Sequence, residues 1–247
     1  MERALYDELY RTEEDHWWFR GRRSVIRSVL KKIPRSQGET ALDVGCGTGL
    51  NTEILNTLGF SAEGLEFSED AIGLARLRSP NMTLRKGSFP DVDLGGKRYN
   101  LITLFDVLEH IEDDAGALRV AHSLLQSGGY LLLTVPAFTF LWTEHDALAH
   151  HQRRYRKKDL LKKLKDAGFH ITYFSYFNFF LFFPIAFVRV IKKILHISSG
   201  KSDFALTPPW LNVLLTKIFS VEGVFLQNVS FPLGVSIIAL ARKSDSV

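Results

Sequence analysis

The segment Ala41-Leu-Asp-Val-Gly-Cys-Gly-Thr-Gly-Leu50 constrains the fold more than any other part of this chain. Ala41, Leu42 and Val44 read as a short buried strand that runs into a glycine-rich turn and then a helix. Gly45, Gly47 and Gly49 stand at alternate positions, so the turn lacks Cβ atoms and a ligand can lie against its backbone. Asp43, at the strand's end, is placed to accept hydrogen bonds from a cationic or hydroxyl-bearing ligand. Such a unit belongs to a nucleotide-type site at the carboxyl ends of parallel strands.

Glycine spacing then separates one nucleotide from another. The dinucleotide fingerprint G-x-G-x-x-G/A needs Gly or Ala at position 50, where this chain has Leu50. Residues 60–66 read as a second strand that ends in Glu66, an acid able to hold both ribose hydroxyls of an adenosine. Further strands are predicted at 82–85, 100–104, 130–135 and 169–177, with a final one at 234–242. Helices are predicted at 50–58, from a Ser68 cap to Arg78, at 113–126 and at 157–168. Residues 1–33 read as helical, closed by Pro34 and Gly38. This alternation specifies a parallel sheet with helices on both faces.

With Asp43 and the strand before it, the G-x-G-x-G turn resembles motif I of the class I S-adenosylmethionine (SAM) methyltransferases. Leu104-Phe-Asp-Val-Leu-Glu-His-Ile111 and residues 127–136, SGGYLLLTVP, are similar to later segments of the same family. The resemblance covers roughly residues 38–175 and the final strand. It is specific for the cofactor and says little about the acceptor. It implies a Rossmann-like, doubly wound α/β fold with a seven-stranded sheet, parallel except for its last strand. It also implies SAM as cofactor, held by Asp43, Gly45, Cys46, Gly47, Gly49, Glu66 and Phe67, with Leu104 and Phe105 along its methionine part. Where many family members carry an Asp that bonds the adenine amino group, this chain has Ser88, whose hydroxyl can accept that bond. Phe89 could pack on the adenine face.

The acceptor side is read from residue types. Residues 142–146 and 150–156 crowd charged and aromatic side chains after a sheet strand's carboxyl end, where acceptors bind. Their pattern resembles a methyltransferase subgroup with E-H-D, a spacer, then H-x-R-R-Y. Near neutral pH an imidazole suits removal of a hydroxyl proton. His145 is the first candidate, His151 the second, and His110 borders the pocket. Arg153 and Arg154 suit a phosphate or carboxylate on the acceptor, or tie the loop by ion pairs; Tyr155, Trp142, Trp17 and Trp18 complete the predicted substrate contacts. No metal is required. The resemblance leaves one metal alternative, Asp106, Glu109 and His110, provided a helix puts all three on one face.

Between residues 178 and 230 lies an apolar stretch that the bare fold does not need. Pro184 suits a helix start, and Phe187, Val190, Ile191, Ile194 and Leu195 then fall opposite Arg189, Lys192 and Lys193. A second apolar helix follows Pro208-Pro209, with Trp210, Leu211, Leu214, Leu215 and Ile218. An acceptor lid, an interfacial helix pair on anionic lipid through 178–220, and a homodimer face all fit this pattern. The chain therefore divides into an N-terminal helical lid (1–37), a SAM-binding core (38–177 and 231–247) and an apolar insertion (178–230).

Composition bounds the rest. A net charge of +4, dispersed along the chain, gives no case for nucleic acid. One cysteine, Cys46, excludes a disulfide framework and suits a reducing, cytoplasmic setting. No apolar run reaches the ~18–20 residues needed to span a bilayer, yet 46% hydrophobic content and 19 phenylalanines are high for a freely soluble enzyme. These features together predict O-methylation of a hydrophobic or lipid-linked small molecule, with peripheral contact at the inner face of the membrane. N- or C-methylation of a soluble molecule is the enzyme alternative, and a catalytically silent SAM-fold membrane adaptor the non-enzyme one. A nicotinamide-dependent oxidoreductase is disfavoured by Leu50.

Overall fold

The computed structural model describes residues 3–34, 36–195 and 207–244. Positions 1, 2, 35, 196–206 and 245–247, which belong to the predicted lid, insertion and core terminus, lie outside the described residues. In chain order the elements are α1 (Arg3–Thr12), α2 (Trp17–Leu30), β1 (Thr40–Val44), α3 (Leu50–Thr57), β2 (Ser61–Glu66), α4 (Glu69–Arg78), β3 (Thr83–Lys86) and β4 (Tyr99–Phe105). A 3-10 turn at Leu108–His110 leads to α5 (Asp114–Leu124) and β5 (Leu125–Pro136), and a second at Thr139–Leu141 leads to α6 (Glu144–Leu148). Then follow α7 (Lys157–Asp166), β6 (Phe169–Phe177), α8 (Phe182–Ile194), α9 (Pro209–Phe225) and β7 (Ser236–Lys243).

The seven strands lie in the order β3-β2-β1-β4-β5-β7-β6. β7 runs antiparallel to both neighbours, and the other strands are parallel. Strand order reverses between β1 and β4, so the crevice for a ligand opens where Val44 pairs with Leu104. The period of two in β1 sorts its side chains. Leu42 and Val44 join Ile102, Leu104 and Leu133 in one core with Leu118 and Leu160. Ala41 joins Leu101 and Leu132 in the other, with Val25, Ile26 and Phe219.

That second core depends on close approach of α2 and α9. A Cβ on Gly21 would overlap the Phe219 ring, and one on Gly223 would lie 2.5 Å from Ser24 Oγ. Ser24 and Ser28 donate to the carbonyls of Ser220 and Gly223 across this seam. The insertion helix α9 is thus part of the core, although β1–β7 can be drawn without it.

Three local expectations need correction. The N-terminal helix is two helices, because the Trp17 amide donates to Asn212 Oδ1 on α9 at 2.8 Å and His16 caps α2. The helix predicted to 126 stops at Leu124, since Leu125 already pairs with Tyr99 as the start of β5. The stretch from Asp106 to His110 is not an α-helix: Asp106 has φ 58 and only a 3-10 turn follows.

Glu222 of α9 is fully buried and accepts from the Phe180 amide at 3.0 Å. Burial pushes its carboxyl up to about 7, against the opposing pull of the Phe180, Phe179 and Asn178 amides. A raised carboxyl pKa means that stability present below the unfolded value is lost as pH rises through about 7. Glu222→Gln keeps the acceptor and removes the charge. It is expected to stabilise the fold by ~1–3 kcal/mol at pH 8 and by almost nothing at pH 4.5. Equal effects at both pH values in urea unfolding would contradict this origin.

Candidate active site

One cavity of about 1630 Å³ opens at the carboxyl ends of β1, β2, β4 and β5. Sites for one small ligand span roughly 300–1,000 Å³, so this cavity has room for a cofactor and a second molecule. One half of it is built by the glycine turn. Gly45, Cys46, Gly47 and Thr48 line it, as do Glu66, Phe67, Ser88, Phe89 and Phe105. Gly47 has φ 57, and a Cβ built there meets nothing within 4 Å, so its bare backbone faces open space. Glu66 is held in place by the amides of Gly47 (2.9 Å), Phe67 and Ser68 (both 3.0 Å).

Three predicted cofactor residues do not line this space. Asp43 is fully buried under the turn, where Thr52 and Thr103 each donate to it at 2.7 Å. Burial raises its pKa to about 6, partly offset by those two hydroxyls. Gly49 turns away toward Met82 and Ala75, and Leu104 packs in the core. These residues shape the turn from behind.

The N-terminal helices roof the cavity. Tyr6 of α1 donates to Glu66 Oε1 at 3.4 Å. Glu13, between α1 and α2, accepts from Thr48 of the turn and from Arg78 of α4. Trp17, Trp18 and Arg22 of α2 line the wall. Arg22 is buried and pairs with Asp106 at 2.8 Å, while Thr134 donates to the same carboxylate. The sequence analysis named Trp17 and Trp18 but gave no site role to Tyr6, Glu13 or Arg22, whose partners are distant in the chain.

The far half of the cavity holds a histidine cluster. Asp146 is fully buried and meets His151, not His145: His151 Nδ1 lies 2.8 Å from Asp146 Oδ1. Arg154 grips the same carboxylate twice, at 2.9 and 2.8 Å. Burial alone would raise the Asp146 pKa, but the bonds from His151 and Arg154 hold it well below the usual carboxylate range. In the tautomer that donates from Nδ1 to Asp146, the His151 ring leaves Nε2 as an acceptor.

Around that nitrogen stand His110 and Glu109. The His110 and His151 rings meet edge-on at 4.7 Å, and Glu109 Oε1 lies 3.9 Å from His151 Nε2. Burial, then the facing His151, lowers His110 to about 4, so its ring is neutral near pH 7. Burial, then the charge of Asp106, pushes Glu109 well above the ordinary carboxyl range. Both Glu109 oxygens are buried without a hydrogen-bond partner among the described residues. Donor atoms of Glu109, His110 and His151 lie within 4.8 Å of one another. Asp106 is not in this group, because Arg22 and Thr134 already hold it.

His145 and Trp142 also line the cavity; Arg153 and Tyr155 do not. Arg153 pairs with Asp114 at 3.1 Å, and the buried Tyr155 donates to the same carboxylate at 2.8 Å. The H-x-R-R-Y run thus fastens its loop to Asp146 and Asp114. On the remaining side stand Leu181, just before α8, and Ile185, Val188, Arg189, Lys192 and Lys193 of α8.

A family model described as a methyltransferase domain matches residues 18–173, more than half of the chain. This chain belongs to that family. The matched residues take in β1 to β5 and the start of β6. A Mycolicibacterium smegmatis protein named as a probable S-adenosylmethionine-dependent methyltransferase is 28% identical over 160 residues, 64% of this chain and 61% of the relative. A ubiquinone biosynthesis O-methyltransferase of Hydrogenovibrio crunogenus is 28% identical over 110 residues, 42% of this chain and 46% of that protein. The chain thus spans between about half and three fifths of the length of these relatives. Among solved structures, a chain of the Haloferax volcanii complex of the Trm112 methyltransferase activator with a methyltransferase superposes with a TM-score of 0.64. It covers 99% of this chain and 95% of that one at 17% identity, which is a likeness of fold.

Proposed function

We propose that this methyltransferase moves the methyl group of SAM to a hydroxyl of a hydrophobic or lipid-linked small molecule. The observation that carries the reading is the pairing, in one cavity, of an open glycine turn beside Glu66 with the Asp146–His151 couple. The cofactor half suits an adenosyl ligand: bare backbone at Gly47, a carboxylate ending β2, and Phe67 and Phe89 as apolar covers. Leu5, Tyr6 and Leu9 of α1 and Trp17 and Trp18 of α2 would act as a lid.

SAM, when bound, supplies an electrophilic methyl carbon on a sulfonium, whose sulfur keeps the bonding pair as the methyl leaves. The protein's task is alignment and removal of one proton. His151 Nε2 takes the hydroxyl proton as oxygen bonds to carbon. Asp146 stabilises the resulting imidazolium from Nδ1. His110, neutral and adjacent, orients the acceptor oxygen. His145 lines the same wall, and the Asp146–His151 bond puts His151 ahead of it in this proposal, the reverse of the order expected from sequence.

The acceptor's apolar character follows from the walls and from the outer surface. Trp17, Trp18, Trp142, Ile185, Val188 and Leu215 line the cavity. Outside, Phe183, Phe187 and Ile194 of α8 are 65%, 67% and 67% exposed, and Trp210 of α9 is 69% exposed. No helix among the described residues is long and apolar enough to cross a membrane. Contact with a membrane surface through these two helices is therefore part of the proposal. The ubiquinone-pathway name of one relative is consistent with an apolar acceptor.

A second reading rests on the buried Glu109 oxygens, which have no hydrogen-bond partner among the described residues. Glu109, His110 and His151 would hold a divalent cation, with Asp146 fixing the His151 tautomer, and the ion would lower the acceptor hydroxyl's pKa. One experiment addresses both readings. Radiolabelled SAM is incubated with the protein and a host-cell extract, with and without EDTA, and the products are partitioned between organic and aqueous phases. Enzyme-dependent organic label that survives EDTA is the expected result. Loss with EDTA and recovery with added metal would favour the cation. Aqueous label alone would overturn the lipid-linked acceptor, and no label in either phase would leave the silent-adaptor alternative standing.

A further inference from the structure

Helix α8 has two faces, and its apolar one is not buried as on an ordinary surface helix. Phe183, Phe187, Val190 and Ile194, spaced four, three and four residues apart, form an apolar stripe that points into solvent. The face turned to the cavity begins apolar, with Leu181 and Ile185, and ends in Arg189, Lys192 and Lys193. A surface helix of a soluble protein normally buries the apolar stripe and exposes the cations. Here the apolar stripe is exposed as well, and the cations, with Lys192 and Lys193 themselves exposed, border the acceptor cavity.

These cations differ in how they are engaged. Arg189 donates to the Leu141 carbonyl at 3.1 Å, which ties α8 to the turn before α6. Lys192 and Lys193 have no anionic partner among the described residues. Three and four residues from Arg189, they share its side of the helix. The cavity wall thus grades along α8 from apolar to cationic, and an apolar stripe lies on the helix's outer side.

We propose that Lys192 and Lys193, steadied by Arg189, bind an anionic group, phosphate or carboxylate, of an amphiphilic acceptor. The inference rests on the reading of the cavity as an acceptor site and names the acceptor's class: an alkyl chain joined to an anion. The chain runs along Leu181, Ile185 and Val188, and the anion is held at the lysine end. Lysine serves as a point charge for such a group, and a phosphate would take a charge-assisted bond from each ammonium. Last-turn lysines also complement the dipole of α8, but that role would be indifferent to any ligand.

The test uses the full chain and binding alone. Dodecyl phosphate, dodecanol and inorganic phosphate are titrated below micelle-forming concentrations, followed by tryptophan fluorescence, since Trp17, Trp18 and Trp142 line the cavity. S-adenosylhomocysteine is titrated in parallel. Dodecyl phosphate is expected to bind at least tenfold more tightly than dodecanol or inorganic phosphate. Lys192→Ala/Lys193→Ala should remove that advantage while S-adenosylhomocysteine binds as before. Equal binding of dodecyl phosphate to wild type and double variant would overturn the proposal. Equal binding of dodecanol would do the same, and inorganic phosphate binding as tightly as dodecyl phosphate would reduce the site to a free-anion site. Failure of S-adenosylhomocysteine to bind would instead strike the methyltransferase reading and leave the lysine result to be judged by itself.

Discussion

His151→Ala is expected to lower kcat for methyl transfer by ~10²–10⁴-fold, the range that a positioned base contributes. Affinity for S-adenosylhomocysteine should stay within about twofold, because His151 stands in the other half of the cavity from the glycine turn. His145→Ala, six residues before His151 in the same wall, is the control and should cost less than tenfold. The two rings sit 6.3 Å apart and share the cavity, so chain position does not separate them. What separates them is Asp146. Its carboxylate bonds one face of His151 and fixes the tautomer, while Arg154 fixes the carboxylate. Asp146→Asn is a poorer probe, since it would leave the buried Arg154 guanidinium without its charge partner, a change that commonly costs ~3–5 kcal/mol of stability. Activity of His151→Ala within threefold of wild type would remove His151 as the base. A larger loss from His145→Ala would restore the sequence-based order.

The contrast between His145 and His151 shows where sequence stops being informative. Strand positions, the glycine turn and the acid ending β2 were readable because each is local. Period-two burial, missing Cβ atoms and the Ser68 cap are all written within a few neighbouring residues. Pairings were not readable. The break before α2 depends on Asn212, 195 residues away, and nothing between Thr12 and Trp17 announces it. Asp106 looked available as a ligand until Arg22, on an N-terminal helix, was seen to hold it. Arg153, Arg154 and Tyr155 have the composition of an anion site, yet their hydrogen bonds go to Asp114 and Asp146. The periodicity of α8 identified two faces correctly, but which one meets the cavity is a tertiary fact. Asp43 shows a subtler limit: its position in the turn was legible, whereas its burial beneath Thr52 and Thr103 was not.

Gly47→Val is expected to weaken S-adenosylhomocysteine binding by at least ~100-fold while the sheet still folds. The position has two properties that make the variant informative. Its φ of 57 is one that a β-branched residue adopts only at a cost of roughly 1–3 kcal/mol. A Cβ there meets no protein atom within 4 Å, so the new side chain has space in the protein alone. The added methyls point into the cavity in front of the turn, the volume that a ligand lying on bare backbone would occupy. Stability and binding can therefore be read separately. Urea unfolding should show a loss no larger than the backbone strain, and the binding loss of ~2.7 kcal/mol or more should exceed what a partly unfolded population explains. Gly47→Ala, smaller and unbranched, should fall between wild type and Gly47→Val in affinity. The same turn distinguishes the oxidoreductase alternative, because wild-type protein should bind S-adenosylhomocysteine and not NADH. Should Gly47→Val bind S-adenosylhomocysteine as wild type does, the ligand does not lie on this turn, and the placement of the cofactor beside Glu66 would have to be abandoned.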